Sequence, residues 1–270
     1  MRRRVFLIAG IVLVGLVLAV ALVSLFWTPF PAADTTGGRL EGPGAHHLLG
    51  TDKLGRDLLT RLMIGARIAV AVGLGAVALG AVVGGVAGLL AGFANRWVDD
   101  TLAALLDILI AFPTLLLAML VVAARGASLG SAIVAIGLAM SAIVARLTRV
   151  LVKRVLAMDY VTAARTSGVG WPRIVTAHVL PNIWPTLAVN LALQFGLAVL
   201  AEASLSYLGL GPPPPNASWG RLLQEAQSTV LTAPTGAIAP GVLLVVLVVG
   251  VNLLADGLRD VADPTRRGHR

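Results

Sequence analysis

Apolar residues along the chain fall into six long runs, at about 5–27, 68–91, 101–123, 131–150, 184–204 and 236–258, and charged residues, Gly and Pro concentrate between them. Each run holds about the 20 residues that a helix rising 1.5 Å per residue needs to cross about 30 Å of hydrocarbon, so the pattern predicts six transmembrane helices. The first run follows Arg2, Arg3 and Arg4. At roughly 23 residues it exceeds the 7–15 of a leader's apolar core and reads as a retained helix. The second run sets Gly80, Gly84, Gly88 and Gly92 at intervals of four, which puts them on one helix face and predicts close approach of another backbone. Pro113, after Phe112 in the third run, predicts a kink by removing a backbone donor. In the fifth run Asn190 and Gln194 share a face, a placement that serves equally to line a wet pathway or to hydrogen-bond a neighbouring helix.

Three connections are long enough to hold structure. Residues 28–67 begin as a Pro/Gly/Thr-rich extended stretch and turn helix-like after Thr51, where Asp52 is expected to cap a short amphipathic turn. Residues 151–182 read as a short helix, a turn at Gly168 and Gly170, and a second helix stopped by Pro181. Residues 205–235 carry Gly209, Gly211 and the run Pro212, Pro213, Pro214, Pro215, which predicts extended polyproline geometry. The chain thus divides into a first helix with its loop (1–67), a helical core (68–258) containing the polar segment 159–182, and a tail (259–270).

Composition changes what these runs mean. The chain is 57% apolar and 13% charged, where a soluble globule needs about a quarter charged residues to keep its surface wet, so a soluble enzyme or a disordered regulator is excluded. The net charge of +8 belongs to membrane topology rather than to nucleic acid. With the amino terminus inside, fourteen of the 21 Lys and Arg fall on the inner side, and both termini are expected in the cytoplasm. Charges within the runs are few: Asp107 and Arg146, expected to pair or snorkel near the interface, and Glu202 at the end of the fifth run. A proton-coupled carrier is correspondingly disfavoured. With no cysteine, thiolate metal sites and a cysteine nucleophile are excluded, and His46, His47, His178 and His269 lie in loops or tails, away from any intramembrane hydrolase centre. No Gly-x-x-x-x-Gly-Lys-Ser/Thr phosphate loop occurs, so any ATP chemistry has to come from another chain.

Three stretches carry a family resemblance. Thr162-Ala163-Ala164, Gly168 and Leu180-Pro181 resemble the cytoplasmic coupling loop of ABC importer permeases, with Thr162 in place of the usual glutamate. Leu-Gly-Thr-Asp-Lys-Leu-Gly-Arg-Asp at 49–57 is similar to the signature before the second span of the C-type subunit in the dipeptide/oligopeptide/nickel branch. Ser-Leu-Ser-Tyr-Leu-Gly-Leu-Gly at 204–211, then Ser218-Trp219-Gly220, resembles that subunit's last outer loop.

The resemblance implies an all-α polytopic fold of the type I importer kind, six transmembrane helices with a cytoplasmic coupling helix. It implies a bacterial inner-membrane subunit forming half of a channel for short peptides, with nickel or another small solute as the alternative cargo. The implied partners are a homologous second permease, two cytoplasmic ATPase subunits that bind ATP and Mg, and an extracytoplasmic solute-binding protein; the chain itself is expected to hold no cofactor or metal. Thr162, Ala163, Ala164, Arg165, Gly168 and Pro181 are then the ATPase-coupling residues. Asn190, Gln194 and Pro113 are candidates for the pathway, Asp52, Arg56, Asp57 and Trp219 for the outer gate or binding-protein contact, and Asp107 with Arg146 for a structural ion pair.

Overall fold

The computed structural model describes residues 2–262. In chain order the elements are α1 (Arg2–Phe26), α2 (Leu58–Phe93), α3 (Arg96–Ala111), α4 (Thr114–Arg125), α5 (Leu129–Leu156), α6 (Asp159–Thr166), α7 (Trp171–Ile174), a π-type turn (Val175–Val179), α8 (Leu180–Tyr207), α9 (Trp219–Ala226) and α10 (Thr235–Ala262). Among the described residues the sole β-type pairing is an isolated bridge between Thr51 and Asp57. Most of the expected tail, 263–270, lies outside the described residues.

Helices α1, α2, α5, α7 continued into α8, and α10 are each long and apolar enough to cross a bilayer, and α3 with α4 forms a sixth, bent candidate. Large apolar side chains such as Val12, Leu16 and Leu22 of α1 and Val82 and Leu90 of α2 are exposed, as a bundle surrounded by lipid requires. The centre of the bundle is α2 against α5. A Cβ at Gly88 would lie 2.5 Å from the Ala145 carbonyl oxygen, one at Gly92 2.6 Å from Val152 Cγ1, and one at Gly84 would strike the Ser141 carbonyl. Hydrogen in place of a side chain is what lets these two helices touch, and Val72, Ala76, Ile136 and Met140 continue the contact above them. A second close approach, which the even spread of glycines in the sequence concealed, joins α1 to α10 through Gly10, Gly250 and Gly257.

Four local expectations are corrected. At Pro113 the helix does not kink but breaks, and α3 and α4 stand at 86°. Proline lacks the donor and also forces its predecessor out of helical geometry, and Phe112 is extended at ψ 132°. Pro181 does not end a helix: the π-type turn loosens the hydrogen-bond register just before it, and α8 carries Pro181 in its first turn, where the missing N–H is harmless. Helix α2 starts ten residues earlier than the apolar run, capped by Asp57, whose Oδ2 accepts the Thr60 N–H at 2.7 Å, while Asp52 caps the turn before it as expected. The proline run is no extended rod: it folds into a turn closed by Asn216 N–H donating to the Pro213 carbonyl, with a cis Pro214–Pro215 bond.

Substituting Gly84 or Gly88 by Val should force α2 off α5, a misfit of the kind that costs about 1–3 kcal/mol in packed cores. The expected outcome is a lowered melting temperature of the detergent-solubilised protein and less of it in the membrane. Gly85→Val, at a position with open space around it, should leave both unchanged.

Candidate functional site

Two polar assemblies sit at opposite ends of the bundle, and a third set of charges lies between α3 and α5. The first is built on α6. Val161 is its one buried residue and inserts beside Val152, Val155, Ile174, Val179 and Ile183, while Thr162, Ala163, Arg165, Thr166 and Gly168 are exposed. A helix anchored by one valine therefore presents a free face of small side chains. Its end is fixed by two bonds, Gly168 N–H to the Arg165 carbonyl (3.0 Å) and Val169 N–H to the Ala164 carbonyl (3.1 Å), with Gly168 at φ +82°. That closing geometry needs left-handed backbone, which glycine adopts without strain. The Arg165 guanidinium lies 4.4 Å over the Trp171 ring, and Trp171 meets Phe93 of α2 edge-on at 5.3 Å, so the turn after α6 is clasped to the end of α2. Asn182 Nδ2 donates to Tyr160 Oη (3.1 Å) and to the His178 carbonyl (2.6 Å), tying α6 to the start of α8. Pro181 is exposed at this end.

The opposite end is where α9 docks on the loop before α2. Asp52 Oδ1 accepts the N–H groups of Leu54 (2.8 Å) and Arg56 (3.0 Å) and closes the turn that Gly55, at φ +78°, makes possible. Asp52 Oδ2 receives Arg56 Nε and Arg61 Nη1, both at 2.7 Å. Both arginines reach on to Glu225 of α9, at 3.0 and 2.7 Å, and Arg221 adds a contact at 3.1 Å. Burial works to raise the Glu225 carboxyl, but Arg61, Arg221 and Arg56 outweigh it and hold it below the ordinary carboxylate range. Asp57 is buried, bonds His47 Nδ1 at 3.0 Å and caps α2. Trp219 is 1% exposed, its Nε1 donating to the Leu62 carbonyl at 3.0 Å and its ring filling the space that Gly65 leaves. Asp57 and Trp219 thus face the core and hold α2 and α9 in place, which withdraws them from any surface a partner touches in this arrangement. Arg61 and Glu225, absent from the expected set, are the centre of the network; an arginine and a glutamate on the inward faces of α2 and α9 were their sole mark in the sequence.

Beneath this end Glu202 is fully buried in α8 and accepts the Ser206 hydroxyl at 2.6 Å. In the middle of the bundle Asn190 Oδ1 and Gln194 Oε1, with Thr148 Oγ1 of α5, are buried and have no hydrogen-bond partner among the described residues. Between α3 and α5, Asp99 takes Arg149 Nε at 2.5 Å and Nη2 at 2.9 Å, with Lys153 on the same carboxylate. Further along, Arg146 Nη1 stands 3.4 Å from Asp107 Oδ1. Asp99 was missed because it precedes the third apolar run and reads as a loop charge. Pro113 sits at the break between α3 and α4, away from Asn190 and Gln194 in sequence and on a separate helix pair.

Among the described residues, five helices long and apolar enough to cross a membrane, a bent sixth candidate and a short exposed helix on the polar segment between two spans define a polytopic membrane protein. Residues 84–268 match the family described as binding-protein-dependent transport system inner membrane component. The relatives share nearly the whole chain. A Brucella suis protein whose name assigns it provisionally to a peptide transport system as its permease is 40% identical over 264 residues, 98% of this chain and 89% of that one. The dipeptide transport system permease protein DppC of Alkalihalophilus pseudofirmus is 36% identical over 98% of this chain and 87% of its own length, and the glutathione transport system permease protein GsiD of Pectobacterium atrosepticum 37% over 98% and 88%. The chain belongs to this family: it is a multi-pass inner-membrane permease subunit of an ABC importer, with the type I helical fold.

Removing one member of a buried ion network leaves the others uncompensated, at a cost of about 3–5 kcal/mol. Arg61→Met should therefore free α9, seen as faster hydrogen exchange in 219–226 with the rest of the bundle unchanged. Glu225 contributes stability that is present at neutral pH and lost as pH falls through its depressed folded value. Exchange in the same segment should accordingly rise in strong acid, and Glu225→Gln should abolish that response.

Proposed function

We propose that this subunit forms half of the membrane passage of an importer for short peptides, with both its termini in the cytoplasm. The observation that carries the reading is the match, over nearly all of the chain, to permeases named for peptide, dipeptide and glutathione transport. A homologous permease supplies the other half, two cytoplasmic subunits bind ATP with Mg and hydrolyse it, and a solute-binding protein delivers cargo from outside. The chain contributes no ATP chemistry of its own. The orientation rests on the excess of Lys and Arg at the α6 end and on the α6 segment being the face offered to the ATPases.

In this reading α6 is the coupling helix. Thr162, Ala163 and Ala164 present little bulk, so a groove on an ATPase subunit closes around them, and Arg165 and Gly168 fix the angle at which the helix leaves. Closure of the ATPase pair moves α6, and the contacts of Trp171 with Phe93 and of Asn182 with Tyr160 pass that motion to α2 and α8. The helices then rock between two arrangements, open to one side or to the other. Asn190 and Gln194, whose buried side-chain oxygens have no partner among the described residues, are the residues of α8 that meet water when the passage opens.

Gly168→Val tests the coupling role. A branched side chain at φ +82° adds roughly 1–2 kcal/mol of backbone strain, confined to an exposed turn, so the subunit should still fold and assemble. In proteoliposomes with the complete set of partners, ATP hydrolysis should continue while peptide uptake falls at least about tenfold, a loss of about 1.4 kcal/mol in coupling. Uptake at the unmodified rate would remove the role assigned to this turn.

A further inference from the structure

Two ion pairs join α3 to α5, and they are built differently. Asp99 is 4% exposed and is held by Arg149 at two points, with Lys153 on the same carboxylate. That cluster attaches α3 to the bundle. Asp107 and Arg146 meet at one distance, 3.4 Å, with side chains 61% and 59% exposed, so little of either is committed to holding the helices together. Arg146 lies about 15 Å along α5 from its Leu156 end at 1.5 Å per residue, at the inner edge of the apolar run and just before the basic stretch of Arg149, Lys153 and Arg154. A guanidinium and a carboxylate as exposed as these, at the inner end of the bundle, face water or another protein, because hydrocarbon excludes them. Helix α5 is enclosed on its other faces, with Ala142, Val144, Ala145 and Thr148 buried, and opens along a narrow stripe where Arg146 is followed one turn later by exposed Val150.

We propose that Asp107 and Arg146 line the water-filled passage and form a transient site for a zwitterionic peptide, Arg146 receiving the terminal carboxylate and Asp107 the terminal ammonium. The proposal rests on the peptide reading above. An open ion pair contributes little stability, so it separates readily and each member exchanges its partner for the oppositely charged end of the passing peptide. When the peptide leaves, the pair reforms and the passage is again neutral at that point. Arginine suits the carboxylate because its planar fork matches two oxygens. The pair lies toward the α6 end, which places the contact late on an inward route.

The absence of cysteine from the chain makes the test direct. Single Arg146→Cys, Asp107→Cys and Val150→Cys variants, the last leaving both charges in place, are assembled with their partners in proteoliposomes and treated with a charged, water-soluble thiol reagent. All three should react, and peptide during turnover should slow the reaction, whereas Leu16→Cys on the lipid-facing surface of α1 should stay unreactive. Arg146→Gln and Asp107→Asn should each lower peptide uptake per ATP hydrolysed by at least about threefold. The exchanged pair Asp107→Arg with Arg146→Asp should not restore it, as it would if the two residues merely attached α3. Unreactive cysteines at 146 and 150 in a transporter that still takes up peptide, or full recovery by the exchanged pair, would overturn the site alone. Absence of peptide uptake by the unmodified transporter would overturn the peptide reading and the site with it.

Discussion

Everything else in the bundle is arranged around the contact between α2 and α5. In lipid, apolar side chains gain nothing by leaving their surroundings for one another, so helices associate through dispersion and shape. Gly84, Gly88 and Gly92 bring the backbone of α2 against the Ser141 and Ala145 carbonyls and the Val152 side chain. Once those two helices are fixed, α4 and α8 pack along the same pair through Ala118, Val122 and Ala198, and Gly73 of α2 accepts the edge of Phe195. The side chains that meet along this axis, Val72, Ala76, Ile136 and Met140 among them, are apolar.

Charge is placed where that axis ends or opens. At one end Asp52, Arg56, Arg61 and Glu225 close a loop and a short helix over the bundle with few exposed atoms. At the other, α6 is held by Val161 and by aromatic contacts, leaving its own surface free. The two ends differ physically: one is internally neutralised and sealed, and the other leaves small side chains uncovered.

How much of this was legible in the sequence depends on the range of the interaction. The apolar runs placed the spans apart from the break at Pro113, and the four-residue glycine spacing marked the face of α2 that packs closely without naming α5 as its partner. The turn at Gly168 was legible because only one residue type suits its backbone. Local rules failed where two effects compete: Pro113 was read as a kink because the restriction on Phe112 adds to the missing donor, and Pro181 as a stop because a π-type turn that absorbs it has no mark in the sequence. The 49–57 stretch was recognisable, but the division of labour within it was not, since Asp52 and Asp57 are equally good caps until the fold selects one. Arg61 and Glu225 were out of reach. They are separated by 164 residues, and no spacing relates them.

The π-type turn has one more consequence. Because it keeps Val175–Val179 helical in the face of Pro181, the segment from Trp171 to Tyr207 is one continuous helical span of about 55 Å at 1.5 Å per residue, with Pro185 inside it. Trp171 is clasped to the Arg165 guanidinium at one tip, and Tyr207 stands just past the buried Glu202 and Ser206 at the other. A hinge at the proline would have dissipated any tilt applied at the first tip. A continuous span instead keeps the clasp at Trp171 and the buried Glu202–Ser206 pair on one helix that runs from the α6 end to the α9 end.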